Sequence, residues 1–301
     1  MKKHLRTIFI LLFLGFGSMA CAQNKILVFQ SDFGLKDGAV SAMKGVAMGV
    51  STDLKLFDLT HEIPAYNIWE AAYRLVQTVP YYPAGTVFVS VVDPGVGTER
   101  KSVVLKTKTG QFIVTPDNGT LTLVAEELGI AGLRQIDEAI NRRSNSGQSY
   151  TFHGRDVYAY TGARLASGTI TFEQVGAALP LDVVTLPYQK AVLENGRLKG
   201  SIAILDIQYG NVWTNISQQL LKKAGIKYGN ILQIKVFHNG KQVYQGDMPF
   251  LETFGAVAAG KPLAYLNSLM QLSFALNQGS FADTFKIGSG QEWSVTIRQN
   301  R

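Results

Sequence analysis

The sequence predicts an α/β N-terminal domain with a mostly parallel sheet, followed by a C-terminal antiparallel β-barrel-like domain. Three observations carry this expectation. From residue 24 to 178, short apolar runs of strand length alternate with segments of helical spacing, the pattern of a layered α/β unit. From 198 to 301 the helical period fades, and short strands follow one another at close spacing, one pair turning on Asn239-Gly240. Between them, at 179–197, Pro180 and Pro187 break any helical period, so the stretch reads as a linker into a hairpin at Asn195-Gly196. A chain of 301 residues that is 46% hydrophobic and 17% charged has room for two such cores and no disordered signature.

Residues 1–22 are expected to be a signal peptide. "MKKHLR" is basic, "TIFILLFLGFG" apolar, and "SMACAQ" rich in small residues. The apolar run is shorter than the roughly 20 residues of a membrane span. Cleavage after Ala20 or Ala22 fits. Cys21, the single cysteine, is also placed for lipid attachment, although Ser18 stands where such sites usually carry an aliphatic residue. The expected location is therefore exported: periplasmic, or lipid-anchored to the bacterial envelope. One cysteine excludes an intrachain disulfide. Without Lys2, Lys3 and Arg6 the formal charge falls from +7 to +4. The basic clusters that remain, "NRR" at 141–143 and "LKK" at 221–223, are isolated and read as solvated faces, so nucleic-acid binding is not expected.

The elements follow in order. "KILVFQSDFG" is an opening strand of the kind buried on both faces. "KDGAVSAMKGVAMGVS" is a helix with Val40, Met43, Val46 and Val50 on one face. "LKLFDLTHEIP" is a strand closed by Pro64, and "IWEAAYRLVQTVPYYP" a helix with Ile68, Ala72, Leu75 and Val76 inward. "TVFVSVVDPG" is the third strand, and "SVVLKTKTGQFIVTPDNG" a hairpin around Thr109-Gly110. "TLTLVAEELG" and "DVYAYTGARLASG" are helices, the latter with Tyr158, Gly162, Leu165 and Ala166 on one face. In the second domain "SIAILDIQYGN", "ILQIKVFHNGKQVYQG", "PLAYLNS", "LMQLSFALN" and "WSVTIRQN" supply the strands.

Three strands end in an aspartate near a glycine: Asp32, Asp93 and Asp117. In an open α/β sheet, ligands bind outside the carboxyl ends of the strands. Any one of these residues is explained by the preference of aspartate for turns; the three together read as a site. Arg100 follows Asp93 across a Pro94-Gly95 turn, close enough to pair with it and keep it ionised; an ordinary structural ion pair is the alternative. His153 stands in a glycine-containing loop ahead of a helix, where an imidazole can orient or deprotonate water, although a lone histidine is also often structural. The histidines show no metal-ligand spacing, so no metal is expected. In "DIQYGNVWTNI", polar Asp206, Asn211, Thr214 and Asn215 interleave with Tyr209 and Trp213. That pattern suits a flat ligand with an amino-acid head group, and equally a strand with an exposed polar face.

"SDFGLKDGAVSAMKGV", "VVDPGVGTERKSVVL", "TPDNGTL", "TFHGRDVYAY" and "DIQYGNVWTNI" resemble, in order, the signature blocks of the S-adenosyl-L-methionine (SAM) hydroxide adenosyltransferase family. These are adenosine-forming SAM hydrolases related to the SAM-dependent fluorinase and chlorinase. The resemblance implies a homotrimer with sites between one subunit's N-domain and its neighbour's C-domain. It implies a water-activating triad at Asp93, Arg100 and His153, with Asp32 on the ribose hydroxyls and Tyr66 near the ribose or sulfonium. Asp117 joins them as a strand-end aspartate of the same set. Asp206 and Asn211 would hold the methionine head group, with Tyr209 near the adenine. "NSLMQLSFALNQGSFAD" resembles the adenine-contacting segment through Asn277, Ser280 and Ala282. SAM is then a substrate and no cofactor is needed.

The halide-using relatives carry an aromatic where Asp93 stands, and the fluoride-using ones a hydroxyl residue near position 154, where this chain has glycine. A carboxylate beside a halide repels it, which favours water. An exported binding module that retains a SAM or nucleoside pocket without turnover is the second reading, motivated by the signal peptide. A halogenase is the third.

Overall fold

The computed structural model describes residues 24–300; the expected signal peptide and Cys21 lie outside the described residues. The first half comprises β1 (Ile26–Ser31), α1 (Ala39–Val50), β2 (Lys55–Thr60), α2 (Ile68–Thr78), β3 (Val87–Val91), β4 (Ser102–Thr107), β5 (Phe112–Pro116), α3 (Thr122–Leu128), β6 (Ile130–Gln135), α4 (Glu138–Asn141) and α5 (Tyr160–Ser167). Its sheet has the order β2-β1-β3-β5-β4-β6. Pairings β1–β2, β1–β3 and β3–β5 are parallel, while β4 runs antiparallel to both β5 and β6. The reversal comes from the hairpin at Thr109-Gly110, where the Gly110 N–H returns to the Thr107 carbonyl at 3.1 Å. Edge strand β6 is an addition to the sequence reading, because "IAGLRQ" contains two small residues and no clean alternation.

Helices α1 and α5 cover one face. Val40, Met43 and Ala47 form the buried stripe of α1, with Val46 and Val50 half-buried at its edge, against Leu27, Phe29, Val87 and Val89. The predicted helix after His153 is split: a π-helical turn, Gly154–Ala159, leads into α5. Tyr158, Gly162, Leu165 and Ala166 are all buried, as the spacing predicts. A Cβ at Gly162 would stand 2.4 Å from Val89 Cγ2, so only glycine lets α5 lie this close to β3.

The second half holds β7 (Val192–Glu194), β8 (Arg197–Asp206), β9 (Asn211–Ser217), α6 (Gln218–Lys223), β10 (Ile231–His238), β11 (Lys241–Pro249), β12 (Pro262–Leu266), β13 (Gln271–Leu276), α7 (Phe281–Phe285) and β14 (Trp293–Gln299). The antiparallel order is β11-β10-β14-β8-β9-β13-β12, with β7 added on β8. The two ends meet just past β11, where Leu251 N–H donates to the Ala264 carbonyl at 2.9 Å, so the sheet is a nearly closed barrel. Asn195-Gly196 and Asn239-Gly240 both adopt positive φ, the primed turns that Asn-Gly favours between twisted strands. Alternate residues point inward, among them Leu232, Ile234, Val236, Val295 and Ile297.

The halves are joined through α2. Trp69, Ala72 and Tyr73 pack with Leu123, Ala203 and Ile204. Trp69 Nε1 donates to the Ala203 carbonyl at 2.7 Å, Tyr73 Oη to Gln271 Oε1 at 3.1 Å, and Arg74 Nη2 to the Leu205 carbonyl at 3.2 Å.

Candidate functional site

In the order β2-β1-β3 the chain leaves β1 in one direction and later returns on its other side. The carboxyl ends of β1 and β3 therefore flank a topological switch point. Ser31 and Val91 are paired in register there, which delivers Asp32 and Asp93 to one edge. The π-helical turn at the start of the α5 run brings His153 and Gly154 to the same place. Together with Tyr66 and Phe152 these residues line a cavity of about 280 Å³. A Cβ on Gly154 would come within 3.1 Å of Phe33 and 3.3 Å of Val91, so the glycine lets the wall close tightly.

The Pro-Gly turn folds Arg100 back onto Asp93. Arg100 Nε lies 2.9 Å from Oδ1 and Nη2 2.6 Å from Oδ2, with the two side chains 11% and 5% exposed. Burial alone would weaken proton binding by the guanidinium, but the hydrogen bonds to Asp93 reverse this, and Arg100 sits above its ordinary range. Arg100 Nη1 also donates to Ser102 Oγ at 3.1 Å, which lies 3.2 Å from the buried Tyr158 hydroxyl. Burial pushes the Tyr158 phenol strongly upward, so it stays protonated.

His153 is 4% exposed. Its Nε2 lies 3.1 Å from Arg142 Nη2, which also donates to Glu138 Oε2 at 2.6 Å, and its Nδ1 has no protein partner. Burial holds the imidazole below its usual range; nearby Glu138 opposes this, and the cations Arg100 and Arg142 reinforce it. Glu138, Arg142, Ser102 and Tyr158 are not among the site residues expected from the sequence, where Tyr158 reads only as a helix-face position. Arg142 belongs to the "NRR" run read as a solvated face, yet its side chain is only 10% exposed. Glu138 and Arg142 are spaced i,i+4, the one signal in the sequence that pairs them.

Asp32 Oδ2 accepts the Tyr66 N–H at 2.9 Å; Tyr66 itself is exposed, with φ of 68°. Asp117 has a different position. It is not among the residues lining the cavity; its Oδ1 accepts the Val184 N–H at 2.9 Å, which pins the linker, and burial raises its carboxyl.

A second cavity, about 770 Å³, opens on the barrel between the β8–β9 turn and the segment before α7. Asp206, Tyr209, Asn211 and Ser280 line it, with Trp213 and Tyr265. Asn211 Nδ2 donates to Asp206 Oδ2 at 3.1 Å, and Tyr209 is exposed. Burial pushes the Tyr265 phenol up to about 12. Ala282 is buried, its N–H on the Gly210 carbonyl at 2.9 Å, and Asn277 Nδ2 donates to the Val257 carbonyl at 2.7 Å. Neither is among the residues that line the cavity. Among the described residues, no group of three or more His, Cys, Asp or Glu is placed to hold a metal ion, and no helix is long and apolar enough to cross a membrane.

Comparison with known proteins covers both halves. Residues 27–176 match the SAM hydroxide adenosyltransferase N-terminal domain, and residues 200–294 the C-terminal domain of the same family. The chain is 38% identical over 218 residues to an (R)-S-adenosyl-L-methionine hydrolase of Methanocaldococcus jannaschii, covering 71% of this chain and 74% of that one. It is 34% identical to a hydrolase of the same name from Salinispora tropica (89% and 96% covered) and 30% identical to a fluorinase of Actinopolyspora mzabensis (90% and 97%). A crystal structure of an uncharacterized conserved protein from Thermotoga maritima superposes with a TM-score of 0.82 at 35% identity, covering 90% of this chain and 99% of that one. With both halves of the fold matched in order, the chain belongs to the SAM hydroxide adenosyltransferase family and is an enzyme of that kind.

Proposed function

We propose that the chain hydrolyses SAM to adenosine and L-methionine by attack of water on the ribose 5′ carbon. The observation that carries this reading is the meeting of Asp93, backed by Arg100, with His153 and Asp32 on one cleft at the switch point. A water lone pair forms the new O–C5′ bond. The C5′–S bond breaks with its electron pair going to sulfur, which leaves as the neutral thioether of methionine, and the water's proton departs toward Asp93 and solvent. Such a displacement needs a positioned nucleophile more than a strong base, because the leaving group is already activated as a sulfonium. Asp32 offers acceptors for the ribose diol. Asp206 and Asn211 offer an acceptor and an amide to the amino-acid head group, and Tyr209 a stacking face to the adenine. No cofactor enters the chemistry.

The 280 Å³ cavity is lined from the first half of the chain and the 770 Å³ cavity from the second. That division suits sites that take one wall from each of two subunits, as in the homotrimer the family resemblance implies. The basic-then-apolar stretch at 1–22 is what supports an exported or envelope-anchored protein. The fluorinase relatives favour a second reading, halide transfer; against it stands the Asp93 carboxylate, whose charge repels a halide.

The test incubates the protein with each sulfonium epimer of SAM in heavy-oxygen water, with and without halide, and follows products by chromatography and mass. Labelled adenosine with methionine is expected, without a 5′-halogenated nucleoside. Absence of adenosine above a His153→Ala control overturns the hydrolase reading, and SAM binding that persists would then favour an exported binding module.

A further inference from the structure

We infer that Arg142 is a positioning residue for the proposed hydrolysis: held by Glu138, it donates to His153 Nε2, fixes the ring with its proton on Nδ1, and makes His153 a hydrogen-bond donor to the attacking water. The inference rests on the hydrolase reading for its role, but its structural half stands on hydrogen-bond chemistry alone. A guanidinium has only donors and does not lose its proton in proteins. Arg142 Nη2 uses one N–H on Glu138 Oε2 at 2.6 Å, and its other faces His153 Nε2 at 3.1 Å. Nε2 must then present a lone pair, which leaves the single proton of the neutral ring on Nδ1. A doubly protonated ring would set one N–H against another.

Several contacts hold Arg142 in place. It lies one turn beyond Glu138 at the end of α4, and its guanidinium stacks 4.8 Å from the Tyr150 ring centroid. Tyr150 in turn lies 6.1 Å from the His153 ring. The charged groups facing His153 are Arg100 and Asp93 from the β3–β4 turn, Glu138 from α4, and Arg142. Glu138 Oε2 is 3.8 Å from Nε2, beyond hydrogen-bond reach and already engaged by Arg142. His153 Nδ1 and Arg142 Nη1 are both buried without protein partners. Buried polar groups are rarely left so, and the orphan on His153 belongs to a residue that lines the cleft. Nδ1 itself carries almost no accessible surface, so the ring must turn slightly toward the cleft for a water oxygen to accept from Nδ1–H and keep a second lone pair for carbon. The proton it sheds cannot go to Nδ1, which already carries one, so the acceptor on this wall is the Asp93 carboxylate.

The ring tautomer is directly measurable. Long-range proton–nitrogen correlation spectra of histidine-labelled protein, with His153 assigned from its loss in His153→Asn, should show Nδ1 protonated and Nε2 bare at neutral pH. Arg142→Met should move the ring toward the other tautomer and lower kcat on the order of 10–100-fold, as loss of an orienting partner does in related settings. KM should stay within about twofold, because the arginine touches no substrate. Arg142→Lys, which keeps a donor, should recover part of kcat. His153→Asn places an amide N–H where Nδ1 stands and His153→Gln one nearer Nε2, so the asparagine variant should be the faster by about tenfold.

A bare Nδ1 in the parent protein overturns the inference, as does a glutamine variant faster than the asparagine one, or Arg142→Met with parental kcat. If Arg142→Met does not fold, the parent spectrum and the His153 pair still decide. Failure of the hydrolase reading is distinguishable: the parent would then make no adenosine, while the spectra would still report the tautomer.

Discussion

At the scale of single residues, Asp93 and Arg100 depend on each other. The carboxylate is 5% exposed and takes its hydrogen bonds chiefly from the guanidinium. Removing Arg100 strands a buried charge, so Arg100→Met is expected to abolish turnover and to lower unfolding free energy by about 3–5 kcal/mol, measurable in urea. A second residue-scale expectation concerns pH. Burial holds His61 and His153 below the ordinary 6.5 in the fold, so the unfolded chain binds protons first as pH falls. Their contribution is complete above 6.5 and is lost as pH drops from there toward their folded values. The urea midpoint should decline across that window, and a double His61→Asn, His153→Asn variant should flatten the decline. Asp58 and Asp156, held low in the fold, act in a more acidic window. Asp93, Arg100 and His153 were legible in the sequence because Pro-Gly and His-Gly punctuation sets them apart from regular elements. Arg142 and Glu138 were not, because a charged pair on a short helix looks like any solvated turn, and only burial distinguishes it.

At the scale of elements, the approach of α5 to β3 sets how firmly the π-helical turn is held. Gly162→Ala would force a methyl to within 2.4 Å of Val89 Cγ2. Overpacking of this kind costs about 1–3 kcal/mol, so thermal unfolding should fall by several degrees, with turnover reduced as the turn bearing His153 shifts. The strands and both Asn-Gly hairpins were readable because apolar runs and primed-turn residues act locally. The π-helical turn was not, since its residues have ordinary helical spacing and nothing in their pattern marks an extra residue per turn. Edge strand β6 escaped for a related reason: its pairing with β4 is a tertiary event that "IAGLRQ" does not announce.

At the scale of the whole molecule, α2 couples the sheet to the barrel. Trp69→Phe keeps an aromatic in the joint but leaves the Ala203 carbonyl without its donor. An unsatisfied buried carbonyl costs about 1–3 kcal/mol, which scanning calorimetry should register as a lower transition temperature. The separation of the two cavities between the halves of the chain has a consequence for genetics as well as chemistry. If one substrate bridges a wall from each of two subunits, a lesion in one wall does not disable the other. Asp93→Ala and Asp206→Ala chains, each inactive alone, should regain activity when refolded together, through the roughly one quarter of sites that chance pairing leaves intact on both sides. Silence from that mixture would place both walls of a site in a single chain. Rescue would mean that two dead alleles can make a living enzyme.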